Sequence, residues 1–185
     1  MWYLFLEMRS MQTTQRNTAV KHFYLRDDGT FPNNSELPVL LYKSAWVLPF
    51  FKVRFVKRQL KNNKWNYAWR NGVYEYHHYH STAHEVLCVI KGNAKLLLGG
   101  NKGMIVEVEE GDVLVIPAGV AHKNMTPRNT FKCIGAYPQG QNYDMNYGKF
   151  IERPRTDEQI KKVPLPLSDP VYGETGPLMY YWKVQ

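Results

Sequence analysis

A chain of 185 residues, 44% hydrophobic and 14% aromatic, is long enough to bury its own core and too apolar to be intrinsically disordered. Its two cysteines, Cys88 and Cys133, exclude a disulfide scaffold; each lies in an apolar run and reads as a buried thiol in a reducing cytoplasm. The formal charge of +8 is concentrated in the acid-free stretch Lys52 to Lys64, which reads as a solvated helix face. No helix-turn-helix, zinc-finger or RNA-binding signature accompanies it, so a nucleic-acid partner is not expected.

The N-terminal MWYLFLEMRS has a short apolar run that carries Glu7 and lacks a basic leader, so neither a signal peptide nor a membrane span is expected. Met1, Met8 and Met11 are alternative starts, and residues 1–20 are expected to be a disordered extension ahead of one domain, 21–185. In a cytoplasmic chain the sequons at Asn33 and Asn124 carry no glycan. HFYLRDDGTFPNN then reads as a short strand, a turn at Asp28-Gly29 and a Pro-led loop, with a second strand from Leu37 to Tyr42. Phe50, Val53, Val56 and Leu60 recur at helical spacing behind Pro49, which predicts an amphipathic helix over 50–61.

From Gly72 to about Tyr137 the pattern changes to short apolar or alternating runs of four to eight residues, broken by Gly, Pro and Asn. Such spacing predicts an all-β sandwich or barrel. Beyond it, Thr156-Asp157-Glu158-Gln159 forms a capping-box pattern ahead of a short helix ending near Val163. Pro164, Pro166, Pro170 and Pro177 then forbid regular structure, so 164–185 is expected to be an extended arm on the barrel or on a partner subunit.

Four of the six histidines lie between residues 77 and 84. His78 and His80 share one face of an extended chain, with Cα atoms ~6.6 Å apart, and two imidazoles at that spacing can converge on one ion. Ser81 to His84 suffice for a tight reversal, which would set Glu85 at the start of the neighbouring strand, with Leu87 and Val89 facing inward behind it. Gly111 to Gly119 reads as a turn, a buried strand and a Pro-x-Gly corner that can aim His122 back inside. By parity His77 faces away from His78, while Tyr76 and Asn124 are candidates for lining the same pocket. His84 reads as a solvated turn residue, with a supporting contact to the site as the alternative. Trp46, Trp65, Trp69 and Trp182 read as core or interface.

These residues resemble the two motifs of the cupin family. Gly72, His78, His80, Glu85 and Gly92 meet every spacing of the first, and Gly111, Pro117, Gly119 and His122 follow the second. The family's closing Asn is Thr126 here, a departure that concerns the local loop and not a metal ligand. DDGTFPNN, LPVLLYK, WRNGVY, HHYHSTAHEVL, VIPAGVAHKN and GAYPQG extend the resemblance to the YjlB-like branch of small cupins. It implies an all-β jelly-roll (double-stranded β-helix) barrel with one or two short flanking helices, and a metal held by His78, His80, Glu85 and His122.

Three imidazoles and a carboxylate suit one divalent transition metal such as Fe, Mn, Ni or Zn. In an octahedral field two positions stay open for a small-molecule ligand or substrate. A dioxygenase or oxidase is the first expectation and an isomerase the second, with a non-enzymatic ligand- or metal-binding module as the alternative. A homodimer is expected by analogy with other small cupins.

Overall fold

The computed structural model describes residues 19–127 and 129–183. The expected N-terminal extension lies outside the described residues, apart from its end, where β1 (Val20–Leu25) begins.

Two antiparallel sheets form the jelly-roll barrel. The larger runs β1, β2 (Asn34–Tyr42), β7 (Val113–Ile116), β4 (Glu85–Lys91), β9 (Lys132–Pro138), β3 (Trp65–Asn71). The smaller runs β6 (Met104–Glu109), β5 (Asn93–Leu98), β8 (His122–Asn124). Strand parity sorts the core. Leu87, Val89, Leu114 and Ile116 meet Leu96, Leu98, Val106 and Val108 between the sheets. The residues of opposite parity on these strands, Val86, Cys88, Ile90, Val113 and Val115, face outward into a second cluster. That outer face is not solvated. Phe55, Val56 and Leu60 of α1 (Lys52–Asn62) and Val171, Leu178 and Trp182 of the C-terminal arm cover it. This double burial explains why β4 reads as a continuous apolar run rather than an alternating one.

Several elements differ from the sequence expectation, each for a local reason. The helix begins at Lys52 rather than at residue 50, and Phe50 is fully exposed. Its basic residues Arg54, Lys57, Arg58 and Lys61 are exposed on the face away from the core, and Lys52 pairs with Glu110 at 2.8 Å. β3 carries aromatic residues at alternate positions, Trp65, Tyr67 and Trp69, but their burial does not alternate, because Tyr67 takes a left-handed φ of 55° and the register to β9 slips between Asn66 and Trp69. Such a bulge breaks period two. Residues 72–84 are not a continuous strand but an extended segment held by isolated bridges.

α2 (Arg155–Ile160) begins two residues earlier than the capping box suggests, with Pro154 rather than Thr156 at its N-cap. The Thr156 hydroxyl is instead bonded by Tyr79 Oη–H and donates to the Glu152 carbonyl. Pro177 does not prevent a helix but opens one, α3 (Pro177–Tyr181), where its missing N–H is harmless. Asp169, fully buried, fastens the arm: it accepts from Tyr42 Oη–H (2.6 Å) and from the N–H groups of Val171, Tyr172 and Leu178. No helix among the described residues is long and apolar enough to cross a membrane.

Candidate metal centre

The site is built where the extended segment 78–80 is gripped from both sides. On one side His78 N–H donates to the His122 carbonyl (3.2 Å) and His122 N–H returns to His78 (2.9 Å). On the other, Tyr79 and Asn146 exchange the same pair of bonds at 2.9 and 3.0 Å. Residues i and i+2 of an extended chain share a face, so His78 and His80 turn toward the barrel interior together. β8 delivers His122 beside them after the corner at Gly119, whose N–H bonds the His80 carbonyl at 2.8 Å. Only glycine suits that corner: its φ is 91°, and a Cβ there would lie 2.4 Å from the Asn33 carbonyl oxygen.

The three imidazoles present ligand atoms that all lie within 4.8 Å of one another. Glu85, first residue of β4, places Oε2 3.1 Å from His122 Nε2 and 3.5 Å from His80 Nε2. All four side chains are buried. Each ring sets its Nδ1 against a backbone carbonyl: His78 against Tyr76 (3.3 Å), His80 against Asp144 (2.5 Å), His122 against Val120 (3.1 Å). Those carbonyls can only accept, so each Nδ1 carries a proton and a ring that is neutral turns its Nε2 lone pair inward.

That arrangement fits a cation. His80 Nε2 and Glu85 Oε2 are buried without a hydrogen-bond partner. Leaving such atoms unpaired costs ~1–3 kcal/mol each, and inward lone pairs beside a carboxylate repel one another unless positive charge sits among them. Three nitrogens and one oxygen form a donor set suited to a first-row transition metal. The electrostatics agree. Burial pushes the His78 imidazole down to about 3, and the neighbouring His122 charge adds to this. Burial alone would lower His80 and raise Glu85, but their mutual attraction prevails, so His80 is held above its ordinary value and Glu85 well below.

The cluster faces a cavity of about 250 Å³ whose walls include Trp69, Val73, Leu87, Tyr137, Tyr143 and Met145. Leu87 therefore stands on the wall. Tyr76 and Asn124, also expected there, do not line it. Tyr76 stacks on Tyr74 at 4.8 Å with its ring half exposed. Asn124 turns onto the next loop, exchanging hydrogen bonds of 2.9 Å with the Thr126 N–H and carbonyl. His77 lies on the opposite side, bonded to Asn101.

His84 is not a solvated turn residue. It is buried, its Nδ1 accepts from Ala118 N–H (3.0 Å), and its ring lies 4.7 Å from that of Trp182. Burial pushes its pKa down to about 3.

Sequence reasoning missed three supports of the site. Asp144 lends its carbonyl to His80, and its carboxylate accepts from Ser81 N–H (2.6 Å), Ser81 Oγ–H (2.5 Å) and Asn146 Nδ2–H (2.8 Å). Tyr137 Oη–H donates to Glu85 Oε1 at 3.1 Å, and Trp69, expected as core or interface, lines the cavity and donates its indole N–H to Tyr137 at 3.1 Å. Only Tyr137 carried a signal: Ala136 pairs with Val86 across the sheet, so an aromatic residue one step on adjoins Glu85.

A jelly-roll barrel with inward histidines from these two motifs defines a cupin, and the Cupin family model matches residues 66–144. The chain is 39% identical over 160 residues to the protein YjlB of Bacillus subtilis (strain 168), covering 86% of this chain and 94% of the relative. It belongs to the YjlB-like cupins. Among solved structures it is similar to acireductone dioxygenase from Bacillus anthracis with cadmium in its active centre (14% identity, TM-score 0.38, 51% of this chain and 64% of that one). It is also similar to the coconut allergen cocosin (16%, 0.36, 43% and 23%). The chain thus spans less than two thirds of either protein.

Proposed function

We propose that this cupin is a metal-dependent enzyme for a small molecule, with His78, His80, His122 and Glu85 holding one divalent transition metal. The observation that carries the reading is the inward set of donor atoms, two of them buried and unpartnered, at the floor of a cavity. At ~30 Å³ per water, about 250 Å³ takes the place of about eight waters, which limits the ligand to a small molecule. When bound, a divalent cation supplies the charge that polarises an oxygen donor of the ligand and eases its deprotonation.

The chain's own residues hold the rest. The carbonyls of Tyr76, Val120 and Asp144 keep the imidazoles in one tautomer, and Tyr137 and Tyr143 stack at 4.5 Å on the cavity wall. Among the described residues no lysine or arginine lines the cavity, so an anionic ligand would meet its counter-charge at the cation. Four protein donors would leave a six-coordinate cation two further positions, room for a bidentate ligand or for ligand and dioxygen. An oxidase or dioxygenase is therefore the first reading of the reaction and an isomerase the second.

Elemental analysis of purified protein is expected to find about one transition metal per chain, lost in His122→Ala. Absence of stoichiometric metal after loading the wild type overturns the reading. Oxygen consumption by the Fe(II)-loaded protein across a panel of small oxygen-donor compounds distinguishes an oxygenase; metal binding without turnover of any compound leaves a binding module.

A further inference from the structure

We infer that Tyr137, aimed by Trp69, is a positioning residue that holds Glu85 to a single-oxygen contact with the cation. The inference rests on the metal reading of the cluster. Glu85 Oε1 is occupied, because Tyr137 Oη–H donates to it at 3.1 Å. Oε2 faces His122 and His80 without a hydrogen-bond partner. One oxygen is thus tied back to the wall and the other is left for the ion, which would oppose a two-oxygen grip.

Three features of the backbone serve this hydrogen-bond chain. The bulge in β3, with Tyr67 at φ 55°, resets the strand so that Trp69 pairs with Gly135 of β9. Gly135 has no side chain, and the indole lies across the space it leaves: a Cβ there would be 2.2 Å from Trp69 Cε2 and Cζ2. In that pose the indole nitrogen reaches Tyr137 Oη at 3.1 Å. The indole can only donate, so it fills an acceptor site of the phenol and leaves the phenol proton for Glu85. Bulge, glycine and tryptophan together set the direction of one O–H bond, and residues that support a metal ligand in this way commonly carry 10–100-fold of metal affinity.

The test compares wild type, Tyr137→Phe, Trp69→Phe and Glu85→Gln by chelator-competition titration with Co(II) and by the EPR spectrum of the Cu(II)-loaded proteins. Thermal melts establish that each variant is folded. Tyr137→Phe is expected to weaken Co(II) binding about ten-fold or more and to shift the Cu(II) hyperfine pattern. Trp69→Phe, which keeps a ring but removes the N–H, is expected to move both readouts the same way by less. Wild-type affinity and an unchanged spectrum in both aromatic variants, alongside weakened binding in Glu85→Gln, overturn this inference and leave the metal reading intact. Failure of the wild type to bind Co(II) or Cu(II) overturns both.

Discussion

Asp144→Asn changes one atom and strikes the strap that holds His80. In the native protein Oδ2 accepts from Ser81 Oγ–H (2.5 Å) and Asn146 Nδ2–H (2.8 Å), while Oδ1 accepts from the N–H groups of Ser81 (2.6 Å) and Thr82 (3.3 Å). An amide keeps one acceptor and turns the other into a donor. The Asn146 amide then meets an N–H, and Ser81 Oγ must accept from position 144 and turn its proton toward Gln159 Oε1 (2.9 Å) instead. A hydrogen bond to a charged group contributes ~1.5–3 kcal/mol; taking the low end, because Asp144 is partly solvated, the loss is about 2 kcal/mol. For a chain of this length that lowers Tm by roughly 4–8 °C.

The pH dependence supplies a second check on Asp144→Asn. Burial raises the Asp144 carboxyl, but the bonds from Ser81, Asn146 and Thr82 outweigh it, so its folded pKa lies below the ordinary 3.8. A depressed carboxyl contributes stability that is present above its unfolded pKa and lost as pH falls through the folded one. The gap in Tm between wild type and variant is therefore full at neutral pH and closes below about pH 4. Scanning fluorimetry from pH 7 to pH 3 measures it. Equal melting temperatures at pH 7, or a gap that persists unchanged at pH 3, refute the role given to the carboxylate.

Asp169→Ala strips the acceptor from four buried donors and is expected to cost about 4 kcal/mol in urea unfolding; a loss under about 1 kcal/mol would contradict its role as the clasp of the arm. Gly119→Ala sets a Cβ against the Asn33 carbonyl at positive φ, and about 2–4 kcal/mol of destabilisation with weakened metal uptake is expected. Wild-type melting and uptake would show that the corner does not position His122. Cys88 and Cys133 are buried, and burial pushes both thiols up. Ellman's reagent at pH 8 should titrate neither in the native protein and both after denaturation; a thiol that reacts at once in the native state breaks the packing described for β4 and β9.

What the sequence made legible follows from period. β4, β5, β6 and β7 are unbroken or alternating runs, so their existence and inward parity could be read directly, and Leu87 falls on the cavity wall as its parity with Glu85 requires. His78 and His80 were legible from their extended spacing, a local device, whereas His122 joins them only when the barrel closes and was legible through the likeness to the second cupin motif. Parity misled where the chain leaves regular pairing. Asn124 shares the parity of His122, yet β8 spans only His122–Asn124, and past its end the side chain finds Thr126. Trp69 was hidden by a bulge, which has no signature beyond a left-handed Tyr67.

Asp144 and Tyr143 stand in a segment without periodicity, 62 and 63 residues from Thr82 and Ser81, which the Asp144 carboxylate grips. Such contacts form only once the barrel closes, so no local pattern announces them. His78 and His80 are set by short-range geometry, and His122 with the groups that aim the cluster by long-range closure. Substitutions in the supporting groups should therefore separate metal affinity from barrel stability. Tyr137→Phe removes a single oxygen from an otherwise unchanged wall and should move affinity most, whereas Asp144→Asn should move both together.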